Sequence, residues 1–527
     1  TLRKGDTLDM ELTRRVSDIA ELERFFHWMI EFPMVFNGEH SGFDVVLGNP
    51  PWEMLQLNEK EFFAEKDPDI AELPGNQRKK AIKKLPEENP LLWKSFVDAK
   101  KSSGNHNNFY RNSQRFPLTA YGKLNSYALF AGHVRGLIDT RGYAGVIVPT
   151  GIATDFSTKD YFGDVVEKQQ LVSLFDFENR EKLFQAVDSR MKFCLLTLSG
   201  EPVEKADFIF FATNVGHLRD PMRRFSLSPR EIARFNPNTR TMPVFRTRPD
   251  ADLTRMIYEN VPIIDNEITG ENPWGISFKQ GLFNMTSDSN LFKTEPGPGD
   301  VRLYEAKMFW HYDHRWATFE NGDTRDVTEE EKADPSFVVQ PRYWVSKAEV
   351  ESRLEDWPYE WLIGFRNITN ATNERTLVLS TFPKEGVGNS APIIIINPAI
   401  SKFEIASFIS NLSSTILDFV CRNKIGGTNF NFFIFKQIPI IKNSEYQKKN
   451  LFFIIPRTLE LIYSSNDMKV FAESLGFFGP PFCWDGERRA ILRAELDAYY
   501  AQLYDLNRKQ LRYILDPADL TPKELED

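Results

Sequence analysis

The sequence is short of several things, and each shortage excludes a class of protein. Its 527 residues hold three cysteines, Cys194, Cys421 and Cys483. They lie far apart with no CxxC spacing, which argues against a disulfide scaffold or a zinc knuckle and fits a reducing cytoplasm. Histidines number seven. His311 and His314 stand three apart in HYDH, but no Cys or Glu beside them completes a ligand set, so no metal is expected. No apolar run approaches the roughly 20 residues of a membrane helix. The longest, APIIIINPAI (Ala391 to Ile400), is broken by Asn and Pro and reads as a buried strand. No signal peptide is visible. Basic excess is missing too: the net charge of -9 argues against a general polyanion coat, although a local basic face is enough to hold nucleic acid.

What is abundant is aromatic. With 44 Phe and 10 Trp the chain can fill large cores and still spare flat side chains for stacking. Its length exceeds one hydrophobic core, and roughly two to four domains are expected.

Residues 13–30 have helical periodicity, with Ser17 or Asp18 as cap and Glu21 at capping-box distance from Asp18. A strand follows at Phe43 to Gly48. Residues 53–120 are polar and charged and read as an insertion of helices and loops. A helix (Leu124 to Ile138), strands at Tyr143–Pro149, Leu171–Phe177 and Lys192–Leu198, and a helix near 158–170 predict a mostly parallel sheet covered on both faces. After about Gly200 the texture changes. Residues 219–255 carry nine Arg against four acids and read as a basic connector. Residues 260–455 are irregular with short β-like runs, and 486–514 are strongly helical. The fold class expected is α/β: the C-terminal half of a Rossmann-like sheet, an α+β domain after it, and a helical C-terminal segment. The boundaries expected are a lead-in at 1–40, a partial catalytic domain at 41–215, the connector at 216–260, a recognition domain at 261–455 and a closing segment at 456–527.

The strand at Phe43–Gly48 runs into Asn49-Pro50-Pro51-Trp52. In open α/β sheets ligands bind beyond the carboxyl ends of strands, which is where this tetrapeptide lies. Proline fixes φ, lacks an N–H and holds the residue before it extended. Asn49 is thus held at the strand tip, and the carbonyls near it meet few local donors. A carboxamide oxygen beside a main-chain carbonyl offers two acceptors, which suits one exocyclic NH2 group. Accepting both hydrogens draws the nitrogen lone pair out of the aromatic ring and makes it more nucleophilic. Trp52 offers a face for stacking, typically worth about 1–3 kcal/mol per base.

FDVVLGNPPW resembles motif IV of S-adenosylmethionine-dependent amino-methyltransferases, above all the N6-adenine DNA methyltransferases. DSRMKFCLLTL (Asp188 to Leu198) resembles their motif VIII, with Phe193 matching the aromatic that helps hold the flipped base; an ordinary core position is the other reading of Phe193. Downstream, YEAKMFWHYDHRWATF, QPRYWV, FRNITNATNERT and the Trp484–Pro517 stretch resemble large bacterial type IIG restriction-modification enzymes and their BREX-like phage-defence relatives. The resemblance covers nearly the whole chain. It implies S-adenosyl-L-methionine as cofactor, with Asp44 and Asn49 on its side of the site. It implies double-stranded DNA as partner, with other restriction or defence subunits possible, and a cytoplasmic setting without membrane. It also implies a mechanism in which a flipped adenine is held by Asn49 and the Pro50 carbonyl between Trp52 and Phe193 and methylated directly. The family's region after the catalytic domain reads DNA sequence. Side chains able to read bases cluster there: Lys307 and Arg315; Arg342; Arg366, Asn370, Asn373 and Arg375; Lys424, Asn429 and Asn431. Each is equally a solvated surface residue or turn former.

One part of the family pattern is missing. A glycine-rich motif I should precede motif IV, and 48 residues precede Asn49 without it. VPTGIAT (Val148 to Thr154) has the wrong spacing and LGFFGPPF (Leu475 to Phe482) is Gly-poor and runs into proline. These residues therefore read as the C-terminal part of a longer protein. Two other functions stay open: a DNA-recognition subunit without catalysis, and an amino-methyltransferase acting on RNA or protein.

Overall fold

The structure, a computed structural model, describes residues 10–38, 41–354, 357–521 and 524. The chain forms two compact units. The first comprises Thr1–Pro149, Glu167–Leu174 and Cys194–Ala206. The second comprises Thr150–Val166, Phe175–Phe193 and Asp207–Asp527.

A six-stranded sheet is built from β1 (Phe43–Gly48), β2 (Ile138–Pro149), β3 (Leu171–Glu178), β4 (Lys192–Ser199), β5 (Ala206–Ala212) and β6 (Phe225–Leu227). The order is β1-β2-β4-β3-β5-β6. β1 runs parallel to β2, with Val45 opposite Tyr143 and Gly48 opposite Val146, after a slip in register behind Phe43. All four expected strands are present. β2 begins five residues early because the expected DTRG turn is extended and joins the strand. The sheet also continues past Gly200, where a change of texture was expected. β5 is ADFIFFA, buried at nearly every position, so it lacks the alternation that marks a half-exposed strand.

In the first unit, helices α1 (Met10–Glu23), α2 (Trp28–Glu31) and α3 (Pro33–Phe36) lead into β1. The single helix expected over 13–30 is thus split. α1 starts at Met10, so Ser17 and Asp18 lie inside it rather than capping it, and Arg24 breaks the run with a φ of +49°. The insertion is helical: α4 (Glu59–Lys66), α5 (Pro68–Glu72), α6 (Gly75–Glu88) and α7 (Pro90–Asn112). Asn58, Asp67 and Asn89 accept N-terminal amides of α4, α5 and α7, at 3.0, 3.2 and 3.1 Å. These helices enclose a small core of Phe63, Ile70, Ile82, Leu85 and Phe96. The Asn107 amide donates to the Leu55 carbonyl at 2.7 Å, tying α7 to the chain just beyond Trp52. α8 (Ser126–Arg135) follows, capped by Asn125.

The second unit carries the irregular region. A four-stranded sheet orders Leu379–Pro383, Trp361–Phe365, Ile393–Ile395 and Ser277–Lys279, antiparallel throughout. Ile393–Ile395 is the centre of the run expected to be a buried strand. Residues 486–514 form two helices, Gly486–Leu503 and Arg508–Leu515, the first capped by Asp485 and the second by Asn507. The arginine-rich stretch is structured as well, with helices Pro229–Phe235 and Arg248–Asn260, and its arginines pair locally: Arg234 with Glu259 at 2.7 Å, and Arg255 with Glu231 at 3.0 Å. Among the described residues no helix is long and apolar enough to cross a membrane.

Candidate active-site corner and basic cleft

β1 ends at Gly48, and the two prolines keep the chain extended beyond it. Asn49 is exposed, and among the described residues its carboxamide has no hydrogen-bond partner. No donor among those residues reaches the Pro50 carbonyl either. The Pro51 carbonyl is occupied: it accepts the Ser126 hydroxyl at 2.6 Å. Ser126 Oγ also accepts the Glu53 N–H at 2.9 Å, and the Ser126 N–H donates to the Glu53 carbonyl at 2.9 Å. The start of α8 therefore clamps the corner immediately behind its free acceptors. Trp52 is half-buried, and its indole N–H donates to the Ile147 carbonyl of β2 at 3.2 Å, which anchors the ring to the sheet. Asp44 is exposed on β1. The corner thus presents two oxygen acceptors without partners among the described residues. Ser126 carried no sequence signal, because a serine opening a helix is ordinary.

Phe193 takes the other of its two readings. It is 2% exposed, stacked on Phe177 with ring centroids 5.4 Å apart and met edge-on by Phe184 at 4.9 Å. A ring packed on both sides by its own core has no face to offer a base.

In the second unit a cleft of about 770 Å³ is lined by Arg180, Arg190, Lys192, Arg246 and Glu178, together with Asn370–Thr372 and Ile425–Thr428. Four cations face one carboxylate. Glu178 accepts from Arg180 at 2.5 Å and pairs with Lys192 at 3.2 Å. Phe211 lies between two of the cations, with Lys192 4.2 Å and the Arg246 guanidinium 4.1 Å from its ring centre. Its φ is +57°, a conformation that costs a non-glycine residue roughly 1–3 kcal/mol. Asp176 holds it there by accepting the Phe211 N–H at 2.8 Å and, on its other oxygen, the Thr150 hydroxyl. Burial raises the Asp176 pKa above the ordinary carboxylate range, against the pull of those hydrogen bonds. Burial also lowers that of Arg246. The sequence analysis missed Arg180, Arg190 and Lys192. Their one signal was position, a basic run just before the strand Lys192–Leu198.

The proposed base readers divide into two groups. Two sequence clusters become one surface: the Phe430 N–H donates to the Asn367 carbonyl at 2.7 Å and the Thr369 N–H to that of Thr428 at 3.1 Å. Asn370, Asn373, Asn429 and Asn431 are exposed on these loops. Lys307 and Arg342 flank the Phe319 ring at 4.4 and 5.1 Å. Arg375 is half-buried and donates to the Ser413 carbonyl at 3.2 Å. Arg366 is spent on the Phe309 carbonyl and on Trp310, 4.7 Å from its guanidinium, and burial pushes its pKa down to about 10. Arg315 and Lys424 hold the fold together instead of facing solvent. Arg315 is 0% exposed and donates to the carbonyls of Asp334, Phe337, Lys332 and Ser464. Lys424 donates to the Phe235 carbonyl at 2.8 Å and the Asn236 side chain at 2.5 Å, and burial lowers its pKa to about 7. His311 and His314 are both buried, and His314 meets Asp467 at 3.0 Å. Among the described residues no group of three or more His, Cys, Asp or Glu could hold a metal.

Of the motif I candidates, Gly151 has its open side filled by the Asp155 carboxylate, so that turn is closed by its own protein. Asp44 and Asn49 alone make no cradle for an amino acid and a nucleoside.

Residues 2–86, which contain Asn49–Trp52, match the family model of the Eco57I restriction-modification methylase. No curated protein matches the chain. Among solved structures it is similar to the type IIG restriction endonuclease BpuSI at 12% identity, covering 91% of this chain and 55% of that one, with a TM-score of 0.28. It is similar to the type IIL restriction-modification enzyme MmeI in complex with DNA at 10% identity, covering 92% and 57%, with a TM-score of 0.42. A DrdV–DNA complex is similar at 9% identity, covering 79% and 44%, with a TM-score of 0.32. The chain spans little more than half the length of the first two.

Proposed function

We propose that this chain is part of a site-specific, S-adenosylmethionine-dependent DNA adenine-N6 methyltransferase of a restriction-modification or phage-defence system, acting in the cytoplasm on double-stranded DNA. Other restriction or defence subunits are compatible partners. One observation carries the reading: an exposed Asn carboxamide and a bare proline carbonyl, without protein partners, at the end of a strand inside a methylase-like segment. Asn49 and Pro50 accept the two hydrogens of the adenine amino group and Trp52 stacks on the ring. Acceptors fixed by prolines and by Ser126 need no reorganisation as the nitrogen becomes nucleophilic. Phe193 is left out of this site. S-adenosylmethionine would supply the methyl group when bound.

Within this reading, residues 41–215 are the catalytic part with its insertion at 53–120, led by 1–40. Residues 216–260 connect, 261–455 recognise the target, and 456–527 close the recognition domain. Arg180, Arg190, Lys192 and Arg246 grip phosphate, supported by the charge of their cleft. Arg342, Asn370, Asn373, Asn429 and Asn431 are the base readers, while Arg315 and Lys424 are structural.

The test is methyl transfer from S-adenosyl-[methyl-³H]methionine to duplex DNA, RNA or protein by the native protein that contains this chain, followed by nucleoside analysis. Label in N6-methyladenine of DNA is expected. Label in RNA or protein would select the other amino-methyltransferase reading. DNA binding without label would select the non-catalytic recognition subunit.

A further inference from the structure

Residues 366–376 and 425–431 of the second unit are loops held to each other. Ile368 and Asn429 form an isolated antiparallel bridge, flanked by the Phe430 N–H donating to the Asn367 carbonyl at 2.7 Å and the Thr369 N–H donating to that of Thr428 at 3.1 Å. The first loop is also pinned along its length. The Arg422 guanidinium donates to the Ala371 and Glu374 carbonyls at 3.1 and 3.0 Å. Asp418 accepts the N–H groups of Thr376 and Leu377 at 2.8 and 2.9 Å.

On this fixed frame the polar and apolar positions are inverted. Thr369 is 4% exposed, with its hydroxyl donating to the Thr376 carbonyl at 2.7 Å, while Ile368 before it is 65% exposed. The neighbouring Leu377, Ile425 and Phe430 are all buried. Scattered exposed apolar residues are ordinary. This one differs in its support and its surroundings. Its backbone is fixed on both sides, and its branched Cβ leaves few rotamers, so the side chain stands out stiffly. Around it are the exposed amides of Asn370, Asn429 and Asn431. Asn370–Thr372 and Gly426–Thr428 of the same loops line the cleft that holds Arg180, Arg190, Lys192 and Arg246. A protein partner would ask for a wider apolar patch. A lone apolar side chain ringed by amides and cations matches a ligand with charged rails, polar edges and an apolar interior only between its stacked layers, which is a nucleic-acid duplex.

We propose that Ile368 is a wedge that enters a base step of the bound duplex, unstacks it, and so lowers the cost of swinging the target base out. The inference rests on the reading of DNA as substrate. The amides beside Ile368 then meet the edges of the loosened pairs, and the cations of the cleft hold the phosphates.

The probe is a short duplex enriched by the native protein from a random-sequence pool of duplex DNA, together with copies of it in which a single mismatched pair is moved along the sequence. Ile368→Ala should bind the intact duplex about tenfold more weakly than the natural protein. With the mismatch at the wedged step that ratio should fall to about threefold or less, because the stack is already loosened there. Ile368→Met, which keeps a side chain able to insert, should stay within about threefold of the natural protein on the intact duplex. Equal binding by Ile368→Ala, or a deficit that no mismatch relieves, would overturn the proposal. So would a deficit reproduced in the natural protein by replacing one thymine with uracil, which would make Ile368 a contact for a thymine methyl group. A pool from which no duplex is enriched would remove the DNA reading and the wedge with it. Relief by a mismatch without methyl transfer to that duplex would keep the wedge and remove the methyltransferase reading.

Discussion

At the end of β1 an asparagine carboxamide stands exposed with no partner among the described residues. At position 315 an arginine, by residue type equally suited to a base, donates to four carbonyls and meets no solvent. They sit at opposite ends of one scale. A functional polar group keeps its hydrogen-bonding capacity for something outside the protein. A structural one spends it inside, where leaving a buried donor or acceptor unsatisfied costs about 1–3 kcal/mol. Residue type alone does not separate the two; unspent capacity does. The basic cleft lies between them, since Arg246 and Lys192 rest on Phe211 while facing open space.

This contrast can be broken by substitution. The largest effect on stability is expected for Arg315→Met. It strands four carbonyl acceptors and should lower the unfolding free energy by about 3–5 kcal/mol, read from denaturant midpoints. A loss of DNA affinity with unchanged stability would instead move Arg315 to the functional side. Arg246→Ala should do the opposite. Its DNA affinity should fall by about 1–2 kcal/mol and the slope of log K against log[salt] by about one, equally for all sequences, in fluorescence anisotropy titrations. Ser126→Ala removes the clamp behind the corner and should cost about 1–2 kcal/mol of stability, with a matching loss of methyl-transfer rate in the native protein.

A smaller effect is expected in pH dependence. Burial holds Lys424 at about 7, below the ordinary lysine value of about 10.4. Between those values the unfolded chain binds a proton that the folded chain does not. The Lys424 contribution therefore rises with pH through that window and is lost as pH falls through about 7. Urea midpoints at pH 7, 8 and 9 should climb more steeply for the natural chain than for Lys424→Met. Equal slopes would show that Lys424 is not the buried cation described. The smallest effect is Asn373→Ala, an exposed loop residue expected to change stability within about 0.5 kcal/mol and to alter only which DNA sequences bind.

Much of the sheet was legible because its strands are apolar runs bounded by turn residues. β1 ended where Asn-Pro-Pro demanded, and β3 and β4 fell within a residue of expectation. β5 escaped because a strand buried on both faces shows no alternation, and α1–α2 escaped because Arg24 breaks a periodicity that continues beyond it. At the candidate site the local geometry of Asn49 and Trp52 could be read because the prolines fix it from the sequence alone. Phe193, Arg315 and Lys424 could not, since their fates depend on neighbours remote in sequence, such as Phe177, Ser464 and Phe235.

The most direct measurement is of Asn49→Ala in the native protein that contains this chain, with DNA binding and N6-methyladenine formation followed together. The side chain is exposed and makes no protein hydrogen bond among the described residues, so folding and DNA affinity should be unchanged. Methyladenine formation should fall by about 10²–10³-fold, the usual effect of deleting one preorganised polar group. Methylation retained within about tenfold, under the same principle, would contradict the claim that this corner holds the reacting amine.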